Sequence, residues 1–318
     1  LHEGAKEAVP MTLVRAKVEN PPIKFSKIGN VAYIQLADFM YEKTGVDGKV
    51  ERQPKSERAV VNGATLVRDA ILKMKQEIGP DNVQGYVLDL RFNSGGQIYQ
   101  AVDIADHFLD DGKPVVTSRG RISDFNETYK TEIAGDITDG KPLIILVNEG
   151  SASASELLSG ALQDYGRATI VGHNTFGKGS VQQLMPLANG GALKVTIARY
   201  YTPNDHAVQN LGITPDVLYI GKTSLDGKEI QKEAGMKNTL VDKVDENPHQ
   251  TSKTCGPVSE DMSPETLTRD FNSKAVVGID GKVDGMILCA VEALQGQSKW
   301  TITQPYTMPA DAPAALTH

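Results

Sequence analysis

A hydroxyl that can attack a carbonyl, an amine that can take its proton and a neutral group that can steer the amine make a minimal acyl-transfer site. One stretch of this chain holds all three residue types. Asn148 to Gln182 reads NEGSASASELLSGALQDYGRATIVGHNTFGKGSVQ, with Ser151, Ser153 and Ser155 in one turn, Lys178 between Gly177 and Gly179, and Gln182 four residues later. A free lysine is almost wholly protonated at neutrality and is no base. Burial in apolar surroundings disfavours the charged form, and flanking glycines let a backbone turn sharply and approach its neighbours. A glutamine offers donors and an acceptor without adding a charge that would keep an amine protonated.

Such groups need a scaffold that exposes a serine and frees amide N–H groups beside it. The serine turn follows PLIILV, Pro142 to Val147, an apolar run of buried-strand type, and leads into SELLSGALQ, whose apolar residues recur at helical spacing. A strand-turn-helix junction presents a side chain at its bend, and the first helical amides have no intrahelical acceptor, which suits a developing oxyanion. Chemistry alone leaves the choice among the three serines open. A second junction is RFNSGGQIY, Arg91 to Tyr99, after the apolar run YVLDL, where Gly95 and Gly96 permit an amide to point inward at close range.

Around these turns, strand-like and helical stretches alternate. IGNVAYIQLADF (Ile28 to Phe39) reads as the first core strand, and NGATLVRDAILKMKQEIG (Asn62 to Gly79) as an amphipathic helix stopped by Gly79-Pro80. YVLDL, the helix AVDIADHF, PVVTSRG, LIILV, the helix SELLSGALQ, TIVG and GGALKVTIARYY follow, an order that argues for an α/β fold. After Val217 the composition turns polar, predicting a loop-rich region of surface decoration, and DGMILCAVEALQG (Asp284 to Gly296) reads as a late helix.

The SASASE turn, the FGKG loop 25 positions after its middle serine, VLDLRFNSGGQIYQAVDIADHFLDDG and ARYYTPNDHAVQNLGITPDV together resemble the carboxy-terminal processing (tail-specific) peptidases of the S41 type, over roughly residues 25 to 220. The resemblance implies Ser153 as nucleophile, Lys178 as base and Gln182 as the third member of the triad. It implies an oxyanion hole formed by the amide of Ala154 and by one of Gly95 and Gly96. The implied fold is the crotonase-like core of this family, and the implied activity is a serine endopeptidase with no metal or organic cofactor. Residues 1–20 look like the last strands of a PDZ module, 21–220 like the catalytic core and 221–318 like a C-terminal extension. On this reading the chain is a piece of a longer exported precursor, located in the bacterial periplasm or cell envelope. Its partners would be a protein or peptide with an exposed C-terminal tail, an adaptor or activator protein, and further copies of itself.

Other readings are weaker. GHNTFGKGS nearly spells a phosphate-binding loop, but Gly179 stands where the magnesium-binding hydroxyl belongs, and Pro186 follows soon after. His107 and His173 would be needed for serine-histidine catalysis, and neither matches a base position. The histidines are scattered, with no metal-ligand spacing. A scaffold that binds peptide without cutting it is the non-enzyme alternative, and retention of serine, lysine and glutamine together speaks against it. Glu156 reads first as a carboxylate favouring the dipole of the helix start and second as a group that places Lys178, although a carboxylate too close would hold the amine charged. Asp89 and Arg91 read as an ion pair on one strand face, and Tyr200 and Tyr201 as strand residues beside the cleft or in the core. The formal charge of −7 disfavours nucleic acid and anionic membrane surfaces as partners. No apolar run approaches the roughly 20 residues that span a bilayer. The two cysteines, Cys255 and Cys289, fit either a disulfide or packed thiols.

Overall fold

Alternate residues of the central strands feed two separate apolar cores, and this sets the architecture. The computed structural model describes residues 21–44, 60–133, 135–221, 230–237, 239–240, 251, 253–256 and 284–296. Strands β1 (Ile23–Ile28), β2 (Val31–Leu36), β5 (Gly85–Asp89), β8 (Leu143–Val147), β9 (Ala168–Gly172), β12 (Val217–Tyr219) and β13 (Lys253–Cys255) form one sheet, ordered β1-β2-β5-β8-β9-β12-β13. Only β1 runs antiparallel to its neighbour. Ala32, Ile34, Tyr86, Leu88, Leu143 and Ile145 face one core, while Val31, Tyr33, Val87, Ile144 and Leu146 face the other. A parallel sheet covered on both faces requires such uniformly apolar strands, which is why YVLDL and LIILV show no polar alternation.

Helices α1 (Gly63–Ile78), α2 (Ile98–Ala105) and α3 (Ala154–Asp164) cover the first face, and α4 (Gly285–Leu294) covers the second. The Asn62 side chain accepts the Thr65 N–H to cap α1, and Thr65 Oγ1 accepts the Asn62 N–H in return. Within IGNVAYIQLADF the strand is β2, and Ile28 ends β1, the preceding strand, with which β2 forms a hairpin that turns at Gly29 and Asn30. The antiparallel pair β3 (Glu42–Thr44) and β4 (Val60–Asn62) precedes α1.

A second, antiparallel sheet has the order β10-β11-β6-β7, from β10 (Ser180–Pro186), β11 (Ala192–Tyr201), β6 (Pro114–Gly120) and β7 (Glu127–Lys130). It meets α3 through a small cluster of Val116, Leu157, Tyr200, Val208 and Ile213. Tyr200 is therefore a core residue, whereas the Tyr201 ring is covered by the Arg119 guanidinium. The loop Gly172 to Ser180 leads into a strand instead of the helix that a phosphate-binding loop requires.

The described parts of residues 221–318 are more than surface decoration. β13 pairs with β12 at the sheet edge, and α4 closes the second core. Cys255 and Cys289 form a disulfide with their Cα atoms 6.3 Å apart, tying β13 to α4. The PDZ-like residues 1–20 lie outside the described residues. The bridge closes a loop of sequence separation 34, so by chain entropy it should contribute about 3–4 kcal/mol. Reduction, or Cys289→Ser, should therefore lower the Tm by several degrees in calorimetry, and an unchanged Tm would contradict that contribution.

Candidate active site

The three serines of the turn have different surroundings. Ser151 is fully buried; its hydroxyl donates to Leu90 O at 2.8 Å and accepts the Asn148 N–H at 3.0 Å. Ser155, also fully buried, donates to Asn93 O at 2.8 Å. Ser153 is partly exposed, and its backbone sits at φ 55° and ψ −117° as the N-cap of α3. A non-glycine residue there is strained by roughly 1–3 kcal/mol and persists only where its surroundings over-determine it.

Those surroundings come from three directions. The Ala152 N–H donates to Asn93 O at 3.0 Å, which ties the serine turn to the Gly-Gly turn. Asn93 is itself fully buried: its Nδ2 donates to Leu36 O at 2.8 Å and its Oδ1 accepts the Gly95 N–H at 2.9 Å. Gly95, at φ 91°, lies so close that a Cβ there would stand 2.8 Å from Ser153 Cβ and 2.8 Å from Ala154 N, so only glycine fits. Gly96 lies instead against the backbone of Phe39, with which it forms an isolated bridge. Ala154 is the first residue of α3, where its N–H has no intrahelical acceptor.

Glu156 supplies the third direction. Its fully buried carboxylate accepts the Ser153 N–H at 2.8 Å and the Lys178 N–H at 2.9 Å through Oε2, and the Gly177 N–H and Thr175 hydroxyl, both at 2.6 Å, through Oε1. One carboxylate thus holds the backbone of the serine turn and that of the lysine loop together. It meets Lys178 through the main-chain N–H, so it can anchor the loop without pairing with the ammonium. Burial pushes the Glu156 carboxyl up to about 7, and its hydrogen bonds, each favouring the anion, limit the rise. The sequence marks Glu156 only by its place three residues after Ser153, as in a capping box. Its span to residues 175–178 is a tertiary fact.

Lys178 is half-buried, in a loop whose other wall is the segment Val208 to Asn210. Gln182 lies exposed on β10 opposite Thr196, just past an irregularity between Val181 and Gln182 that interrupts the pairing with β11. Among the described hydrogen bonds, none joins the Ser153 hydroxyl to Lys178, or Gln182 to Lys178. The backbones of Ser153, Ala154, Gly95 and Lys178 converge.

Behind the Gly-Gly turn, Asp89 and Arg91 form an ion pair at 2.6 Å, Arg91 reaches Asp284 at 2.9 Å, and the Tyr33 hydroxyl donates to Asp89 at 2.7 Å. Asp284 also caps α4 by accepting the Met286 and Ile287 N–H groups. Burial opposes the Arg91 charge, but Asp89 and then Asp284 outweigh it and hold the guanidinium well above its ordinary value. His173 lies between Glu149, at 2.7 Å, and Tyr219 O, at 2.8 Å, and the Glu149 hydrogen bond raises its pKa. His107 meets Ala64 O at 3.0 Å. Both histidines thus have architectural partners instead of Ser153.

Glu156→Gln tests the bridge. The site presents four donors, and a carboxamide has one accepting oxygen, so two N–H or O–H groups lose their acceptor, at about 2–4 kcal/mol. The raised carboxyl makes a contribution to stability that is fully present below the ordinary glutamate value and is lost as pH rises through about 7. Tm measured from pH 4 to pH 8 should fall more steeply in the parent than in Glu156→Gln, and parallel curves would contradict the raised carboxyl.

Known proteins can now be set beside this geometry. The chain belongs to peptidase family S41, whose model matches residues 30–219. It is 40% identical over 215 residues to a carboxy-terminal-processing protease of Bartonella bacilliformis, a match covering 68% of this chain and 44% of that protein. It is 41% identical over 213 residues to the chloroplastic carboxyl-terminal-processing peptidase 2 of Arabidopsis thaliana, covering 66% of this chain and 36% of that one. The solved structure of a photosystem II D1 C-terminal processing protease superposes with a TM-score of 0.50 at 30% identity, over 64% of this chain and 50% of that chain. The chain therefore spans at most about half the length of these relatives. No helix among the described residues is long and apolar enough to cross a membrane.

Proposed function

We propose that the chain is the catalytic part of a serine endopeptidase that cuts polypeptides near their carboxy termini, with a Ser153-Lys178 dyad assisted by Gln182. The observation that carries this reading is the strained backbone of Ser153, whose N–H shares one Glu156 oxygen with the N–H of Lys178. Strain at a single partly exposed serine between two buried ones suits an attacking hydroxyl at a bend. In the proposed step Ser153 Oγ adds to the scissile carbonyl carbon while its proton passes to the neutral amine of Lys178. The tetrahedral oxyanion is held by the Ala154 N–H and by the amide of the Gly-Gly turn. The Gly95 N–H is committed to Asn93 Oδ1, so Gly96 is the donor this reading selects. Collapse breaks the C–N bond, Lys178 returns its proton to the leaving amine, and water then hydrolyses the acyl ester on Ser153. Gln182 steers the lysine once substrate orders the site, since catalytic hydrogen bonds are often long in unliganded enzymes.

The crotonase-like description of the core, a PDZ module at residues 1–20, an adaptor or activator and self-association belong to the same reading. So does an exported location, which the disulfide favours because such bonds persist in oxidising compartments. Incubation with an unfolded protein tests the activity. Fragments formed by the parent and absent with Ser153→Ala are expected. A substrate bound intact by both proteins would instead indicate a non-catalytic peptide-binding scaffold.

A further inference from the structure

The wall of the lysine loop opposite Glu156 is built from residues outside the serine-lysine-glutamine set. Gln209 is buried, and its Oε1 accepts the Gly179 N–H, one residue after Lys178, at 3.0 Å. Gly179 packs so tightly there that a Cβ would lie 2.3 Å from Gln209 N. Two backbone bonds fasten the same loop, from Asn210 N to Gly177 O at 2.8 Å and from Tyr200 N to Gly179 O at 2.7 Å. The Gln209 amide nitrogen is turned away from the loop, donating to Glu233 Oε1 at 3.1 Å and Asn210 Oδ1 at 3.2 Å, with Thr239 Oγ1 at 3.4 Å. The segment bearing Glu233 and Thr239 also grips the loop directly: Glu233 N donates to Phe176 O at 3.1 Å. Thr239 Oγ1 donates to Asn210 Oδ1 at 2.7 Å, and Asn210 Nδ2 to Leu240 O at 2.6 Å.

We infer that Gln209 is a positioning residue for Lys178, and that the strap bearing Glu233 and Thr239 sets its orientation through Glu233. An amide side chain between two fixed partners has one productive orientation: its oxygen must face the Gly179 N–H, and its nitrogen must face an acceptor. The Glu233 carboxylate, which can accept but not donate, supplies that second constraint. Glu156 and Gln209 then act as opposing clamps, one on the amides of Gly177 and Lys178 and the other on that of Gly179. The strap lies beyond residue 219, where the family model ends, so this clamp is fastened by the chain's own extension. The inference rests on the peptidase reading, because positioning has a kinetic meaning only if Lys178 is the base.

The test uses the full chain and the unfolded-protein substrate. Gln209→Leu removes the acceptor of the Gly179 N–H and every bond donated by the amide nitrogen, and should lower kcat by between about tenfold and 100-fold with KM changed less than about threefold, as a small misplacement of a reacting group does. Gln209→Glu keeps an acceptor for Gly179 but sets a carboxylate against Glu233, and should be similarly impaired. Adding Glu233→Gln to it restores a donor opposite and should recover most of the kcat. Hydrogen exchange gives a reading independent of turnover: in Gln209→Leu the Gly179 amide should exchange faster while the Gly177 amide, held by Glu156, stays protected. An unchanged kcat in Gln209→Leu, or a double variant no more active than Gln209→Glu, overturns the inference. If the parent and Ser153→Ala are equally inactive, the peptidase reading fails and this inference with it. If they differ and the Gln209 variants match the parent, only the inference fails.

Discussion

Ser153→Ala is expected to lower hydrolysis by about 10⁴-fold or more, with little change in Tm, because alanine keeps the backbone bond to Glu156 and loses only the attacking oxygen. Ser151→Ala and Ser155→Ala should behave in the opposite way. The Ser151 hydroxyl satisfies Leu90 O and the Asn148 N–H, and that of Ser155 satisfies Asn93 O, all in the interior. Truncating Ser151 leaves the Asn148 N–H without its acceptor at about 1–3 kcal/mol, and truncating Ser155 removes one of two hydrogen bonds to Asn93 O at about 1 kcal/mol. These two variants should therefore unfold at lower temperature while the folded fraction still turns over. Rates normalised to folded protein separate the cases, and full activity in Ser153→Ala would end its assignment as nucleophile.

Lys178→Arg should be nearly as inactive as Lys178→Ala, with kcat down by about 10²–10⁴-fold, the range for loss of a general base. A guanidinium stays protonated in proteins and cannot accept the serine proton. The comparison is informative because Glu156 grips the main-chain N–H of residue 178, which both substitutions retain. The loop should keep its place, and the loss should report on the amine. Circular dichroism and Tm close to those of the parent, together with single-turnover rates, check this; an arginine variant of parental activity would sink the dyad.

How much of this was legible beforehand depended on the kind of information each element carries. β5 and β8 announce themselves because both faces are buried and their runs are apolar apart from Asp89 at the end of β5. α1 is marked by Asn62 at one end and Gly79-Pro80 at the other. β7 and β10 escape notice because they are short or exposed edge strands, with polar side chains such as Gln182 and Gln183 and no apolar stripe to read. β13 is three residues of ordinary polarity that pair only because β12 offers an edge. Within the site, serine, lysine and the glycines are visible by type and spacing. Their supports are not, since Asn93 to Leu36, Glu156 to Thr175 and Gln209 to Glu233 are contacts between residues distant in the chain.

The helix that closes the second core also bears on the order of events during synthesis. Val31, Tyr33, Val87, Ile144 and Leu146 form an apolar face covered by α4, and the Asp284 carboxylate at the start of that helix is also a partner of Arg91, beside the Gly-Gly turn. A chain emerging from its amino end makes all the residues of the dyad long before it makes that helix. Without that helix the face would lack its cover and Arg91 would keep only Asp89 of its two carboxylate partners. The turn that faces Ser153 is thus braced from behind only when residues 284–294 arrive, and the Cys255–Cys289 bond then fastens the late helix to the sheet edge. The geometry of the candidate site thus depends on a helix far along the chain, whose Asp284 is the second counter-charge of Arg91.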